Sequence, residues 1–327
     1  MKFDKKVVYS KNNLIKFPYI LYVPNKIAKN ASLIVDIKTP NPMNGNINDI
    51  INTLLDEESS ISYNPYMLLK EFNYPVMTPI IPRINGFYTT FLGSKIIKND
   101  FTDILNKYNE EELELFKNID LQVYYMIKEA NDILGISEKA IINGYSAGAK
   151  FATGFSILHP DIICCNFSGG TSGLSTLPTK EILGIKLPFP IGINDINFDE
   201  VNYKKIKHFF YIAEDDYNNP ALPLSEMSND YDESGNLKPI PNTYKKDMDG
   251  GLFPYYTECY SKEEINIIDK IYGHENLKRF KINEKYYKDL GINSIHKIYK
   301  GNHSNIFKLN REEIIKEMIN IINSINL

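Results

Sequence analysis

Ala140-Ile141-Ile142-Asn143-Gly144-Tyr145-Ser146-Ala147-Gly148-Ala149-Lys150-Phe151 is the stretch from which the rest of the chain is read. Its first three residues are apolar and two of them are β-branched, as in a short strand buried on both faces. From Ala147 to Leu158 there is no proline, and Phe151, Phe155 and Leu158 recur at helical spacing. Pro160 then marks the end of the helix. A serine at such a sharp strand-to-helix turn has its hydroxyl lifted clear of the backbone. Glycines two before and two after it leave room for the turn and for close helix packing. The amide of the next residue, Ala147, faces the place where an oxyanion would form. The Gly-x-Ser-x-Gly pattern has only three fixed positions, so its weight comes from the strand before it and the helix after it. The competing reading of the same residues is a glycine-flanked turn serine with no chemistry.

Working outward, residues 19–23, 32–36, 74–81, 162–167, 208–213 and 294–299 read as strands. Pro75 and Pro79 leave the ends of the 74–81 strand open. Residues 47–55, 65–72, 110–134, 265–290 and 311–325 read as helices, the 265–290 stretch in two or three pieces. Strands alternating with helices imply an α/β fold, with a mostly parallel central sheet and helices on both faces. Residues 1–327 read as a single domain, with loop-rich lid or insertion segments at about 171–205 and 217–260.

The 327 residues are 43% hydrophobic and carry a net charge of −4. That size suits an α/β enzyme with insertions. With a mildly acidic balance and no basic stripe, nucleic acid is excluded as a partner. No stretch approaches the ~18 apolar residues that span a bilayer. The polar segment Met1-Lys2-Phe3-Asp4-Lys5-Lys6, with no apolar run after it, points to the cytoplasm. Cys164, Cys165 and Cys259 form no disulfide framework and fit a reducing compartment. The histidines show no metal-binding spacing, so neither a metal nor a cofactor is expected. Self-association is left open.

A serine nucleophile needs a base, and the base needs an orienting carboxylate. In this type of sheet they should follow in the order Ser, Asp or Glu, His, each just past the carboxyl end of a strand. The strand at 208–213 runs into Glu214-Asp215-Asp216. Asp216 is preferred, because the acid must reach back from beyond the strand; Asp215 and Glu214 are its rivals. The strand at 294–299 runs into Lys300-Gly301-Asn302-His303. His159 ends the elbow helix, His208 opens a strand, His274 follows no strand and His296 lies inside one. Elimination leaves His303.

The second oxyanion donor should come from the loop after the 32–36 strand, Ile37-Lys38-Thr39-Pro40-Asn41-Pro42. Proline has no N–H to give, so Lys38, Thr39 and Asn41 are the candidates, with Thr39 preferred. Tyr145, beside the serine, is expected to line the acyl pocket. Arg83 could bind a substrate carboxylate or pair internally with Asp120.

These residues resemble the α/β-hydrolase superfamily over most of the chain, nearer to bacterial esterase-like and polyhydroxyalkanoate-depolymerase-like hydrolases than to lipases with a His-Gly oxyanion loop. Besides the elbow, the likeness is carried by Pro79-Ile80-Ile81-Pro82-Arg83, Ile119-Asp120-Leu121-Gln122, Leu158-His159-Pro160, Ser168-Gly169-Gly170, Gly192-Ile193-Asn194-Asp195 and Glu214-Asp215-Asp216-Tyr217-Asn218. The chain departs from the pattern at Ala213, where a glycine is common, and in the oxyanion loop. The resemblance implies Ser146 as nucleophile, Asp216 as acid and His303 as base, acting on a small-molecule or oligomeric ester. A peptidase or amidase would use the same triad. A catalytically silent binding protein on this fold is the remaining alternative, and the intact Ser, Asp, His order argues against it.

Overall fold

The computed structural model describes residues 2–38, 45–57, 61–82, 109–216, 229–231, 237–239, 262–273 and 275–325. The strands are β1 (Phe3–Val8), β2 (Tyr19–Pro24), β3 (Ile34–Ile37), β4 (Val76–Pro79), β5 (Ala140–Tyr145), β6 (Ile163–Gly169), the short pair β7 (Glu181–Ile182) and β8 (Ile185–Lys186), β9 (Lys207–Asp215), the pair β10 (Asn229–Tyr231) and β11 (Leu237–Pro239), and β12 (Ser294–Asn302). The helices are α1 (Ile47–Glu57), α2 (Tyr63–Phe72), α3 (Glu110–Glu114), α4 (Ile119–Leu134), α5 (Ala147–Leu158), α6 (Glu200–Tyr203), α7 (Lys262–Tyr272), α8 (Asn276–Asp289) and α9 (Ile306–Asn323).

Eight strands form one sheet in the order β1-β2-β4-β3-β5-β6-β9-β12. β2 runs antiparallel to both of its neighbours, and every pairing from β4 to β12 is parallel. The strands at the centre are apolar on both sides because helices cover both faces. Phe167, Phe209, Ile141, Ile142, Val35 and Ile212 are all buried. On one face, Tyr211 of β9 meets Phe307 of α9, and Asn64 of α2 reaches the Tyr211 hydroxyl. On the other, Ser168 of β6 bonds to the Ala149 carbonyl of α5, and Phe210 of β9 packs on Tyr287 of α8. This is the α/β-hydrolase arrangement. Strand order reverses between β3 and β5, so the crevice beyond their carboxyl ends is where such sheets bind ligands.

Several elements differ from the sequence reading. The helix expected over 110–134 is two helices, because Asn118 takes a left-handed conformation with φ 50°. Gln122 secures the break: its side-chain amide donates to the Leu115 and Lys117 carbonyls at 2.8 and 3.1 Å. The last helix begins at Ile306 and is kinked at Asn310, whose amide donates to Lys300 O at 2.8 Å and Ile306 O at 2.9 Å. β1 escapes a pattern search because Asp4, Lys5 and Lys6 on this edge strand face solvent. Residues 171–193 bury Leu174, Leu177, Leu187, Phe189, Ile191 and Ile193. Among the described residues, no helix is long and apolar enough to cross a membrane.

Candidate active site

β5 carries the site. It lies between β3 and β6, and it ends at Tyr145 with Ser146 directly after it. Ser146 has φ 56° and ψ −121°, outside the regions that ordinary side chains prefer. Such strain persists only where the surroundings over-determine it. Here they do. The Ser146 amide donates to the Gly169 carbonyl at 2.8 Å, and the Ser146 carbonyl accepts from the Ala149 and Lys150 amides at 3.1 Å, opening α5.

The flanking glycines are steric necessities. A Cβ on Gly148 would lie 2.2 Å from the Ile37 carbonyl oxygen, and one on Gly144 would lie 2.3 Å from the backbone of Gly148. The turn therefore packs backbone against backbone, with β3 on one side and its own helix on the other. Ala147 is the first residue of α5 and is buried. Its N–H has no acceptor within the helix, like any first-turn amide.

The three residues picked for their places at strand ends meet in space. His303 Nε2 lies 3.0 Å from Ser146 Oγ, across 157 positions of sequence. His303 Nδ1 lies 2.9 Å from Asp216 Oδ2, across 87. A carboxylate can only accept, so Nδ1 carries the proton and Nε2 is left to accept from the serine hydroxyl. The Asp216 side chain is fully buried, whereas that of His303 is 18% exposed. The burial of the acid strengthens its hold on the imidazole, while the serine side stays open to a reactant. Glu214 and Asp215 are exposed, and Asp216 turns back through its amide to the Ala213 carbonyl at 3.1 Å. The geometry is that of a serine hydrolase triad.

Further side chains support it. Asn276, the first residue of α8, donates from its amide to the Asp216 main-chain carbonyl at 2.7 Å. No local pattern in the sequence points to Asn276, because it opens one piece of a helical stretch and becomes relevant only once α8 docks. The loop that bears His303 is closed on itself. Asn305 Oδ1 accepts from the Asn302 amide at 2.7 Å, and Asn302 Oδ1 accepts from the Ser304 and Asn305 amides at 3.0 and 3.1 Å. Tyr145 is half-buried, with its ring against His303 and Phe307.

His159, His208 and His296 sit elsewhere. His159 bonds to Asp120 at 2.9 Å at the far end of α5. His208 and His296 are packed among Phe210, Tyr203, Tyr287 and Phe280 on the α8 face. Burial lowers His208 to about 3 and His296 to about 4, so both are neutral. Thr39, Asn41, Arg83, His274 and Cys259 lie outside the described residues. Cys164 and Cys165 are free thiols. Among the described residues, no cluster of three or more potential ligands could hold a metal.

Among solved structures, the chain is similar to a poly(aspartic acid) hydrolase-1 from Sphingomonas sp. KT-1, with 14% identity, a TM-score of 0.51, and 97% of this chain and 96% of that one covered. It is also similar to a ferulic acid esterase, with 11% identity, a TM-score of 0.50, and 98% and 96% covered. No protein-family model and no curated protein sequence matches the chain. At these identities the likeness is one of fold, and it agrees with the strand order described above.

Proposed function

We propose that this protein hydrolyses carboxylic esters through an acyl-enzyme intermediate. The observation that carries the reading is the unbroken chain from buried Asp216 through His303 to Ser146, with contacts of 2.9 and 3.0 Å. Ser146 Oγ attacks the ester carbonyl as His303 Nε2 takes its proton. Asp216 holds the imidazole in the required tautomer and stabilises the imidazolium. The same proton then passes to the departing alkoxide, which leaves as the alcohol. In the second half-reaction His303 takes a proton from water as the water oxygen attacks the acyl carbon; the bond to Ser146 Oγ then breaks, Oγ regains the proton from His303 and the carboxylic acid leaves.

The Ala147 amide is one donor to the oxyanion, and Thr39 supplies the second from the loop after β3. Each such donor is worth about 2.7–4 kcal/mol in comparable sites. Tyr145 and Arg83 line the substrate pocket, and the segments at about 171–205 and 217–260 act as lid or insertions on a single domain. The substrate is a small or oligomeric ester, and no cofactor is required. The free thiols of Cys164 and Cys165 support a cytoplasmic setting.

The test is intact-mass labelling with a fluorophosphonate, the modified peptide located, beside matched ester and amide substrates. Labelling at Ser146, and its loss with ester turnover in a folded Ser146→Ala variant, is the expected result. Labelling elsewhere, or p-nitrophenyl ester hydrolysis unchanged in that variant, overturns the reading. Faster turnover of the amide than of its matched ester would make the protein an amidase or peptidase.

A further inference from the structure

The hydroxyl of Tyr145 donates to the main-chain carbonyl of His303 at 2.5 Å, across 158 positions of sequence. We propose that Tyr145 is a positioning residue, a strut that sets where the His303 imidazole stands relative to Ser146. The proposal rests on the hydrolase reading of the triad.

One end of the strut is fixed. Tyr145 is covalently joined to Ser146, and the elbow is held by the packed Gly144 and Gly148 backbones and by the Ser146 amide on Gly169. The phenol therefore projects from a point that cannot shift without moving the nucleophile.

The other end needs fixing. β12 is an edge strand of the sheet, its register is irregular between Tyr299 and Asn302, and Gly301 has φ 98°. α9 begins only at Ile306. His303 thus stands between an edge strand and a helix, where ladder hydrogen bonds do not place it. The Asn302 and Asn305 side chains tie this loop to itself. The Tyr145 bond crosses from the loop to the elbow.

The phenol is also confined sideways. Its ring centroid is 5.0 Å from that of His303, tilted by 35°, and 4.7 Å from Phe307. Gly170, with φ 66°, leaves the third side bare: a Cβ there would lie 2.9 Å from the Tyr145 ring and 3.0 Å from His303 Cε1. Burial and the nearby Asp216 carboxylate push the phenol well above its usual range, so it stays a donor throughout the working pH range. Asn276 holds the Asp216 carbonyl in the same manner at 2.7 Å. Acid and base are each anchored through a main-chain carbonyl, which leaves the Asp216 carboxylate to orient the imidazole and His303 Nε2 to exchange the proton with Ser146.

Tyr145→Phe removes the hydroxyl and keeps the ring. Misplacing a reacting group by about 1 Å costs roughly 100-fold in rate. The expected result, per folded molecule, is therefore a fall in kcat of about 10- to 100-fold with KM within about twofold, and a parallel fall in fluorophosphonate labelling of Ser146. A purely structural tyrosine would lower the melting temperature and leave these rates unchanged. A Phe variant recovered unfolded makes the hydroxyl a structural requirement and overturns the proposal. Unchanged kcat, or a loss expressed wholly in KM, overturns the proposal and leaves Tyr145 a pocket wall. A wild-type protein that resists the fluorophosphonate overturns the hydrolase reading itself, a distinct result.

Discussion

Gly148→Ala puts the packing of the elbow to a direct test. Gly148 has ordinary helical backbone angles within α5, so alanine is conformationally allowed and by propensity alone should stabilise the helix by about 1 kcal/mol. Sterics oppose this. The added Cβ would stand 2.2 Å from Ile37 O and 3.2 Å from Ile37 C, where ordinary contact begins at 3.4 Å. The obstacle is backbone, and it is held in the sheet by the pairing of Ile37 with Gly144. It cannot rotate aside as a side chain could, so α5 must back away from β3 by about 1 Å. Overpacking of this kind costs about 1–3 kcal/mol, which outweighs the propensity gain over most of that range. The expected net change is a loss of up to about 2 kcal/mol, seen as a melting temperature lower by up to a few degrees. Ser146 and Ala147 ride on the same first turn. A displacement of that size should cost about 100-fold in kcat/KM, or about 2.7 kcal/mol of transition-state stabilisation. Thermal melts and p-nitrophenyl ester kinetics of the folded variant measure the two effects separately. Wild-type melting and wild-type kinetics together would refute the steric argument. Lowered melting with an unchanged rate would show that the elbow does not depend on this contact.

Asp216→Asn should lower kcat by about 10⁴-fold, about 5 kcal/mol, because an amide can donate to Nδ1 and leave the wrong tautomer facing Ser146. The fold should survive, since asparagine matches aspartate in shape and the Asn276 bond to the main-chain carbonyl of residue 216 is kept; circular dichroism beside the kinetics checks both halves. His208 and His296 predict an acid-labile fold. Their folded values of about 3 and 4 lie below the unfolded value of about 6.5, so below pH 6.5 the unfolded chain binds more protons than the native one. Stability is fully present above pH 6.5 and falls towards pH 4, by about 1.4 kcal/mol per pH unit for each histidine. Urea midpoints across that range should drop, and His296→Gln should shrink the drop by about half; a flat profile would refute the assignment.

The elbow was legible because all its determinants fall within a dozen consecutive residues: an apolar strand, two glycines and a proline-free helix. His303 was legible by elimination, since His159 and His208 fall at the wrong ends of their elements, His296 falls within a strand and His274 follows none in the sequence. Asp216 was less so. Three acidic residues follow one another, and which of them faces the imidazole depends on where β9 lets go of the sheet, with Glu214 and Asp215 turned to solvent and Asp216 folded back. The break at Asn118 was not readable, because it depends on Gln122 finding carbonyls behind it in the folded chain.

By itself, the sequence determined the alternation of the main strands and helices, the buried strands of the parallel sheet and the serine's place at a strand-to-helix turn. These follow from local periodicity and backbone freedom, which need only near neighbours. The tertiary structure alone decided that Gly148 is pressed against Ile37, that Tyr145 reaches His303 and that Asn276 holds Asp216. Each of these contacts joins positions far apart in sequence, and no local pattern records a distance that only the packed sheet and its helices create.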